Sequence, residues 1–417
     1  MTKIQKTHAR QILDSRGFPT VEVEINTEKN FARASVPSGA STGTREAVEL
    51  RDQGSEYCGK SVNNAVQNVN QVLAPKLQNL EVAGQTQIDE LLMQLDGTPN
   101  KNKLGANALL AVSLAVARAA ALDQNLELFA YFGQLTQNSN FTLPVPLMNV
   151  LNGGKHADNG LAIQEFMLVP QGFPDFATAL RAGVETYHML KSNLQKAHQA
   201  TNVGDEGGFA PNFTKTEEAL TALQTAITAA GYAGQIKIAL DAAASEFYQA
   251  ETYHLDQQKF SSAELIDFYA HLIKQYPIIS IEDGLAETDF LGWQNLTAQL
   301  GSEIQLVGDD LFCTNLNILQ KGLARKEANA ILIKPNQIGT LSETLATLAY
   351  AKKNHYATII SHRSGETEDT TIADLAVGVA AGQIKTGAVA RTDRTAKYNQ
   401  LLRLAEKLGP KAKFGNN

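Results

Sequence analysis

The chain has 417 residues, 43 % apolar and 19 % charged, enough for two or three cores or one large barrel with a companion, and without the polar bias of a disordered chain. Its formal charge is −7 and it carries no dense Lys/Arg block, which argues against electrostatic binding to nucleic acid or an anionic membrane and leaves small molecules as the expected partners. Cys58 and Cys313 are isolated and form no C-x-x-C spacing, so neither a disulfide framework nor a thiolate metal site is indicated, and a reducing cytoplasm is the expected compartment.

The first seventeen residues are interrupted by Lys6, Arg10, Asp14 and Arg16, which leaves no apolar run for a signal peptide. Strand-like alternation follows at Thr20–Ile25 and Phe31–Val36, then helical patterns from about Glu46 to Leu128, an order that predicts a small α+β domain. The most apolar segment, Ala106–Leu122, carries Asn107, Ser113 and Arg118 and reads as a buried amphipathic helix that falls short of a membrane span. Gly54-Ser-Glu-Tyr-Cys-Gly-Lys-Ser61 matches the G-x-x-x-x-G-K-[ST] spacing of a phosphate-binding loop. The residues before it include Glu49, Arg51 and Asp52, so no buried strand delivers the loop and it reads as a surface turn.

After Leu143-Pro-Val-Pro146 the pattern changes to short apolar runs, each followed by a chemically active residue and an amphipathic helix. The expected domains are residues 1–138 and 139–417. Asp241, Glu282, Asp309, Lys334, His362 and Lys385 end successive runs at spacings of 41, 27, 25, 28 and 23 residues. A (β/α)₈ barrel allots roughly 31 residues to each unit, so the pattern predicts one such residue per strand end. A doubly wound open sheet is the rival, since it too uses strand C-termini.

A single acid after a strand is most often a helix cap. Three in successive units, crowded at one mouth, repel one another unless a cation lies between them, and all-oxygen ligation favours Mg²⁺ over Zn²⁺. Lys334 and Lys385 could be mere ion-pair partners; beside another cation, a lysine has its ammonium form disfavoured and is expected to have a lowered pKa suited to a base. His362-Arg363-Ser364, in a strand-to-helix turn, reads as an anion site. Glycine-rich stretches at Ser38–Gly43, Asn152–His156 and Gly204–Gly208 would each be a plain turn alone. Carrying or adjoining Ser41, His156, Gln164-Glu165 and Glu206, they suit a lid that supplies acid and base groups.

Six motifs together resemble the enolase family: Ser38-Gly-Ala-Ser-Thr-Gly43, Gln164-Glu-Phe-Met167, Gly204-Asp-Glu-Gly-Gly208, Ser280-Ile-Glu-Asp-Gly284, Gly308-Asp-Asp310 and Ser361-His-Arg-Ser-Gly-Glu-Thr-Glu-Asp369. Similar segments run from Gln11 to Leu402. The resemblance implies an N-terminal α+β domain and a TIM-type (β/α)₈ barrel with a β-β-α-α start, its first two strands at Val145–Val150 and Ile163–Val169. It implies the Mg²⁺-dependent, reversible dehydration of 2-phosphoglycerate to phosphoenolpyruvate, with two Mg²⁺ per active site. By the same match Asp241, Glu282 and Asp309 hold one Mg²⁺ and Ser41 completes the second site. Lys334 is then the base, and Glu206 with Glu165 forms the acid side. Lys385 binds the substrate carboxylate, Gln164, His156 and His362 line the cavity, and Arg363 and Ser364 meet the phosphate. A homodimer or homo-octamer is implied as well.

Two departures from the family pattern stand out. Pro335 follows the base where an N–H is usual, which predicts altered local hydrogen bonding, and Ala286 replaces an acid just beyond Glu282. A racemase or acid-sugar dehydratase of the same superfamily, or an enolase-like binding protein without catalysis, are the alternatives.

Overall fold

The computed structural model describes residues 2–415. It opens on an antiparallel sheet of β1 (Ile4–Leu13), β2 (Pro19–Thr27) and β3 (Phe31–Ser35). β2 and β3 fall on the alternating runs. β1 has no counterpart in the sequence reading: only Ile4, Thr7 and Ala9 of it are buried, so backbone pairing to β2 defines it more than any apolar pattern.

The helices expected from Glu46 begin only at Asn63. The segment before it is irregular because its side chains are engaged elsewhere. Glu46 accepts from Arg363 at 2.9 and 3.1 Å, Arg45 donates to the carbonyls of Asp310 and Leu311, and Asp52 caps the N–H groups of Asn63 and Asn64 at 2.8 and 2.9 Å. Most of Gly54–Lys60 is exposed around a short 3₁₀ turn, as a surface loop should be.

Two longer helices follow, α1 (Gln85–Asp96) and α2 (Ala106–Asp123). By length and apolarity α2 could cross a bilayer, contrary to the expectation that its polar residues disqualify it. Burial gives the better account, since 83 % of it lies inside the protein. Its polar side chains are satisfied: Asn107 bonds both backbone groups of Leu50 at 3.1 Å, Ser113 accepts from the N–H of Leu341 at 3.0 Å, and Arg118 pairs with Asp369 at 2.8 Å. The last two bonds join this domain to the barrel. Asp89 of α1 adds a third tie, accepting from the backbone and hydroxyl of Ser342 at 2.9 and 2.6 Å.

Beside this seam, burial pushes the Asp374 carboxyl up to about 6, with Arg118 and Gln400 opposing. A carboxyl raised on folding binds more protons in the native state than in the unfolded chain, so its stability contribution falls as pH rises from the unfolded value to about 6. Asp374→Asn should therefore be more stable than the parent at pH 7, by about 1–3 kcal/mol, and equal to it below about pH 4. Urea unfolding at the two pH values measures the difference; equal gaps at both would refute it.

The barrel strands are β4 (Val145–Asn152), β5 (Glu165–Pro170), β6 (Ile236–Asp241), β7 (Ile278–Glu282), β8 (Gln305–Gly308), β9 (Ala330–Ile333), β10 (Ala357–Ser361) and β11 (Gly382–Lys385). They close in chain order, β11 pairing with β4, which excludes the open sheet. All neighbours are parallel except at β5, which runs against both β4 and β6. Helices α3 (Phe176–Lys196) and α4 (Thr216–Ala229) come between β5 and β6, so the start is β-β-α-α. The reversal has a consequence for chemistry. The first residue of β5, not its last, stands at the mouth, and Glu165 pairs in register with Asp241 at the end of β6.

Candidate active site

The strand ends converge. All the residues singled out from the sequence except Glu282 line one cavity at the C-terminal mouth, with the Ser41 loop reaching in from the N-terminal domain. Glu282 lies behind Lys385, whose ammonium donates to both its oxygens at 2.9 and 3.0 Å, to Asp241 at 2.8 Å, and approaches Glu165 at 3.3 Å. Lys385 is thus the cation among three buried carboxylates. Burial pushes its pKa down, but Asp241, Glu165 and Glu282 outweigh that and hold it well above the ordinary lysine value.

Lys334 ends β9 with its ammonium on Asp309, whose other oxygen accepts from Gln337 at 2.8 Å. The lowered pKa expected for Lys334 is not found. Burial does act downward, and so do Arg363 and Lys385, but the adjoining Asp309 carboxylate prevails and leaves the lysine raised. Pro335 does not disturb this wall. It opens the 3₁₀ turn Pro335–Gln337 at the position where a helical N–H has no internal partner, so the expected change in hydrogen bonding does not arise. Lys334 itself is extended (φ −119°, ψ 102°).

The facing wall is built around two acids. Glu206 accepts from Asn149 at 3.0 Å and lies 3.3 Å from His362 and 3.8 Å from His156, whose other nitrogen is 3.4 Å from Glu165. Burial lowers both imidazoles, His362 to about 3, so both are neutral at pH 7. Burial and the charge of Glu206 push Glu165 well up. Burial acts the same way on Glu206, yet His362, His156 and Arg394 hold it low. Glu165 and Glu206 thus form an interacting pair bridged by His156, the first held high and the second low.

The anion site read at His362-Arg363-Ser364 is closed by the protein's own groups. Arg363 forks onto Glu46, and its remaining Nη hydrogens reach Asn336 at 3.2 Å and the Ser41 carbonyl at 3.0 Å. The Ser364 hydroxyl lies 3.2 Å from His156. Ser41 stands apart from the metal-type acids, its hydroxyl on Glu246 at 3.1 Å. The loop approaches so closely that a Cβ on Gly39 would come within 2.0 Å of Arg363 Nη2.

A family model described as Enolase, N-terminal domain, matches residues 4–132, and one described as Enolase, C-terminal TIM barrel domain, matches residues 140–417. The chain belongs to the enolase family. Enolases are metal-dependent, and the residues here suit a hard cation: Asp241, Glu282 and Asp309 are buried oxygen donors with lysines as their counter-ions. Gln164 Oε1 is buried at the mouth without a hydrogen-bond partner, and Glu165 Oε2, His156 Nδ1 and His362 Nε2 have only the long charged contacts given above. The groups whose ligand atoms lie within 4.8 Å of one another are different ones, however: His156, Glu165 and Glu206, and Asp283, Asp309 and Asp310. Lys385 lies between Asp241 and Glu282 and Lys334 lies on Asp309, so two ammonium groups supply the positive charge that these acids need.

Sequence reasoning missed several residues of this enolase site. Arg394 is fully buried on the helix Thr392–Leu408, donating to the Arg363 and Ser364 carbonyls at 2.6 and 2.5 Å and bonding His362 Nδ1. Lys397, one turn on, is buried against Glu366 at 2.9 Å. Their i, i+3 spacing looks like any charged helix face, so no signal distinguished them. Glu46 and Gln337 were equally silent. Ala286 is buried, its N–H on the Tyr253 hydroxyl at 3.1 Å, while the neighbouring Glu287 holds Thr44 at the foot of the lid loop.

Proposed function

We propose that the chain is a phosphopyruvate hydratase, a lyase that interconverts 2-phospho-D-glycerate and phosphoenolpyruvate in glycolysis and gluconeogenesis. One observation carries the reading. Lys334 lines one side of the mouth, and the Glu165–Glu206 pair, bridged by His156, lines the same cavity. Removing the proton at C2, next to a carboxylate, and expelling hydroxide from C3 requires such a base and acid at opposite sides of one small substrate.

Lys334, in its neutral amine form, takes the C2 proton in this scheme, and the Glu165–Glu206 pair delivers one to the C3 hydroxyl. Lys385 and Gln164 orient the substrate carboxylate, and Arg363 with Ser364 receives the phosphate once the Ser41 carbonyl gives up its hydrogen bond. Two Mg²⁺ ions, one held by Asp241, Glu282 and Asp309 and the second completed by Ser41, would supply Lewis-acid neutralisation of the substrate carboxylate and compete with Lys334 for Asp309. A lysine base beside one or two Mg²⁺ is the general pattern of this superfamily, and the geometry supports it without deriving it. His156 and His362 lie against the acid pair, His362 at 3.3 Å from Glu206 and His156 between Glu206 and Glu165 at 3.8 and 3.4 Å, and orient it. We also propose cytoplasmic residence, a homodimer or homo-octamer, and a domain boundary between residues 138 and 139.

Ultraviolet absorbance of phosphoenolpyruvate formed from 2-phosphoglycerate tests the proposal directly. Turnover is expected with Mg²⁺ and none with a chelator. A parent chain that binds Mg²⁺ but forms no product would leave the enolase-like binding protein as the better reading.

A further inference from the structure

Several non-glycine residues in the left-handed region follow closely on the strand ends that carry the metal-type acids: Ala243 after Asp241, Asp283 after Glu282, and Cys313 and Thr314 after Asp309. Left-handed backbone costs a residue with a side chain roughly 1–2 kcal/mol, and persists only where the surroundings impose it. Asp283 (φ +41°) is the one whose side chain explains the conformation. Its carboxylate turns onto β8, one oxygen accepting the N–H of Asp309 at 2.9 Å and the other that of Asp310 at 2.8 Å. Its own N–H donates to the Val307 carbonyl at 2.9 Å, and its carbonyl accepts from Ala244, just past β6, at 3.0 Å. Asp283 is buried.

One residue therefore fastens three strand ends. It adjoins Glu282, aims Asp309 by holding its backbone, and fixes the turn that follows Asp241. We propose that Asp283, both of whose oxygens are engaged by the N–H groups of Asp309 and Asp310, is a positioning residue that sets the spacing of the Asp241, Glu282 and Asp309 carboxylates for a divalent cation. The inference rests on the metal-site reading above. The physical reason is that carboxylate donors bind a small cation well only when pre-set, and loss of the groups that orient them commonly costs about 10–100-fold in metal affinity.

The test is Mg²⁺ binding by titration calorimetry, with no substrate present. Asp283→Asn keeps one acceptor but turns an amide N–H toward a backbone N–H, and should bind Mg²⁺ about 10–100-fold more weakly than the parent. Asp310→Asn controls for charge: it removes a neighbouring carboxylate whose side chain holds no backbone donor, and should lose less. Asp283→Ser, which is smaller and uncharged, should lose at least as much as the asparagine variant. Circular dichroism and thermal melts confirm that each variant is folded. Binding by Asp283→Asn within twofold of the parent, or an equal loss in Asp310→Asn, overturns the proposal. A parent that binds Mg²⁺ but does not dehydrate 2-phosphoglycerate sinks the proposed reaction alone; a parent that binds no Mg²⁺ sinks both.

Discussion

Replacing Lys334 with alanine is expected to lower kcat for phosphoenolpyruvate formation by about 100- to 10,000-fold, the range for loss of a general base. Mg²⁺ affinity should stay unchanged or tighten. The argument lies in the ion pair: the Lys334 ammonium rests on Asp309, one of the acids proposed to hold the cation, so lysine and metal compete for one carboxylate. Truncation removes the competitor and the base together. Steady-state kinetics beside a calorimetric Mg²⁺ titration separates the two effects. Normal turnover would end the base assignment, and a parallel collapse of Mg²⁺ binding would make Lys334 a structural counter-ion instead.

Lys385→Met should act in the opposite sense, on stability before chemistry. Methionine keeps the apolar length but deletes the charge that Asp241, Glu282 and Glu165 surround at 2.8, 2.9 and 3.3 Å. Breaking a buried ion pair from one side typically costs about 3–5 kcal/mol, because the remaining charge is stranded. In chelator the variant should therefore melt well below the parent. Saturating Mg²⁺ should narrow the difference, since the cation takes the place of the missing ammonium among the stranded carboxylates and so stabilises the variant more than the parent, a ligand at about 100 times its Kd being worth about 2.7 kcal/mol. Melting curves with and without Mg²⁺ decide it. An identical deficit in both conditions would mean that these acids do not share a cation site with the lysine.

Both experiments turn on residues readable from the chain alone. Asp241, Glu282, Asp309, Lys334 and Lys385 each follow a short apolar run, and such runs become strands because they are buried on both faces. Glu165 was legible only as a neighbour of a glycine-rich stretch and through the family resemblance. It begins its strand instead of ending it, and the reversal of β5 that brings it to the mouth is a pairing choice that spacing does not encode. The Lys334 pKa was misjudged for a related reason: the direction depends on which charge lies nearest, and the ammonium lies against Asp309.

The sequence by itself determined the barrel, the order of chemical groups around its mouth and the family, because period, spacing and motif are local properties that survive in one dimension. Only the tertiary structure decided the partners. Glu46 and Arg363 are separated by more than three hundred residues yet form one fork, Arg394 is buried beneath His362, and Asp283 holds β8 from the end of β7. Hydrogen bonds and ion pairs depend on distances of a few ångströms between groups that only the closed fold brings together, so the protonation and aim of each catalytic group are properties of the folded mouth.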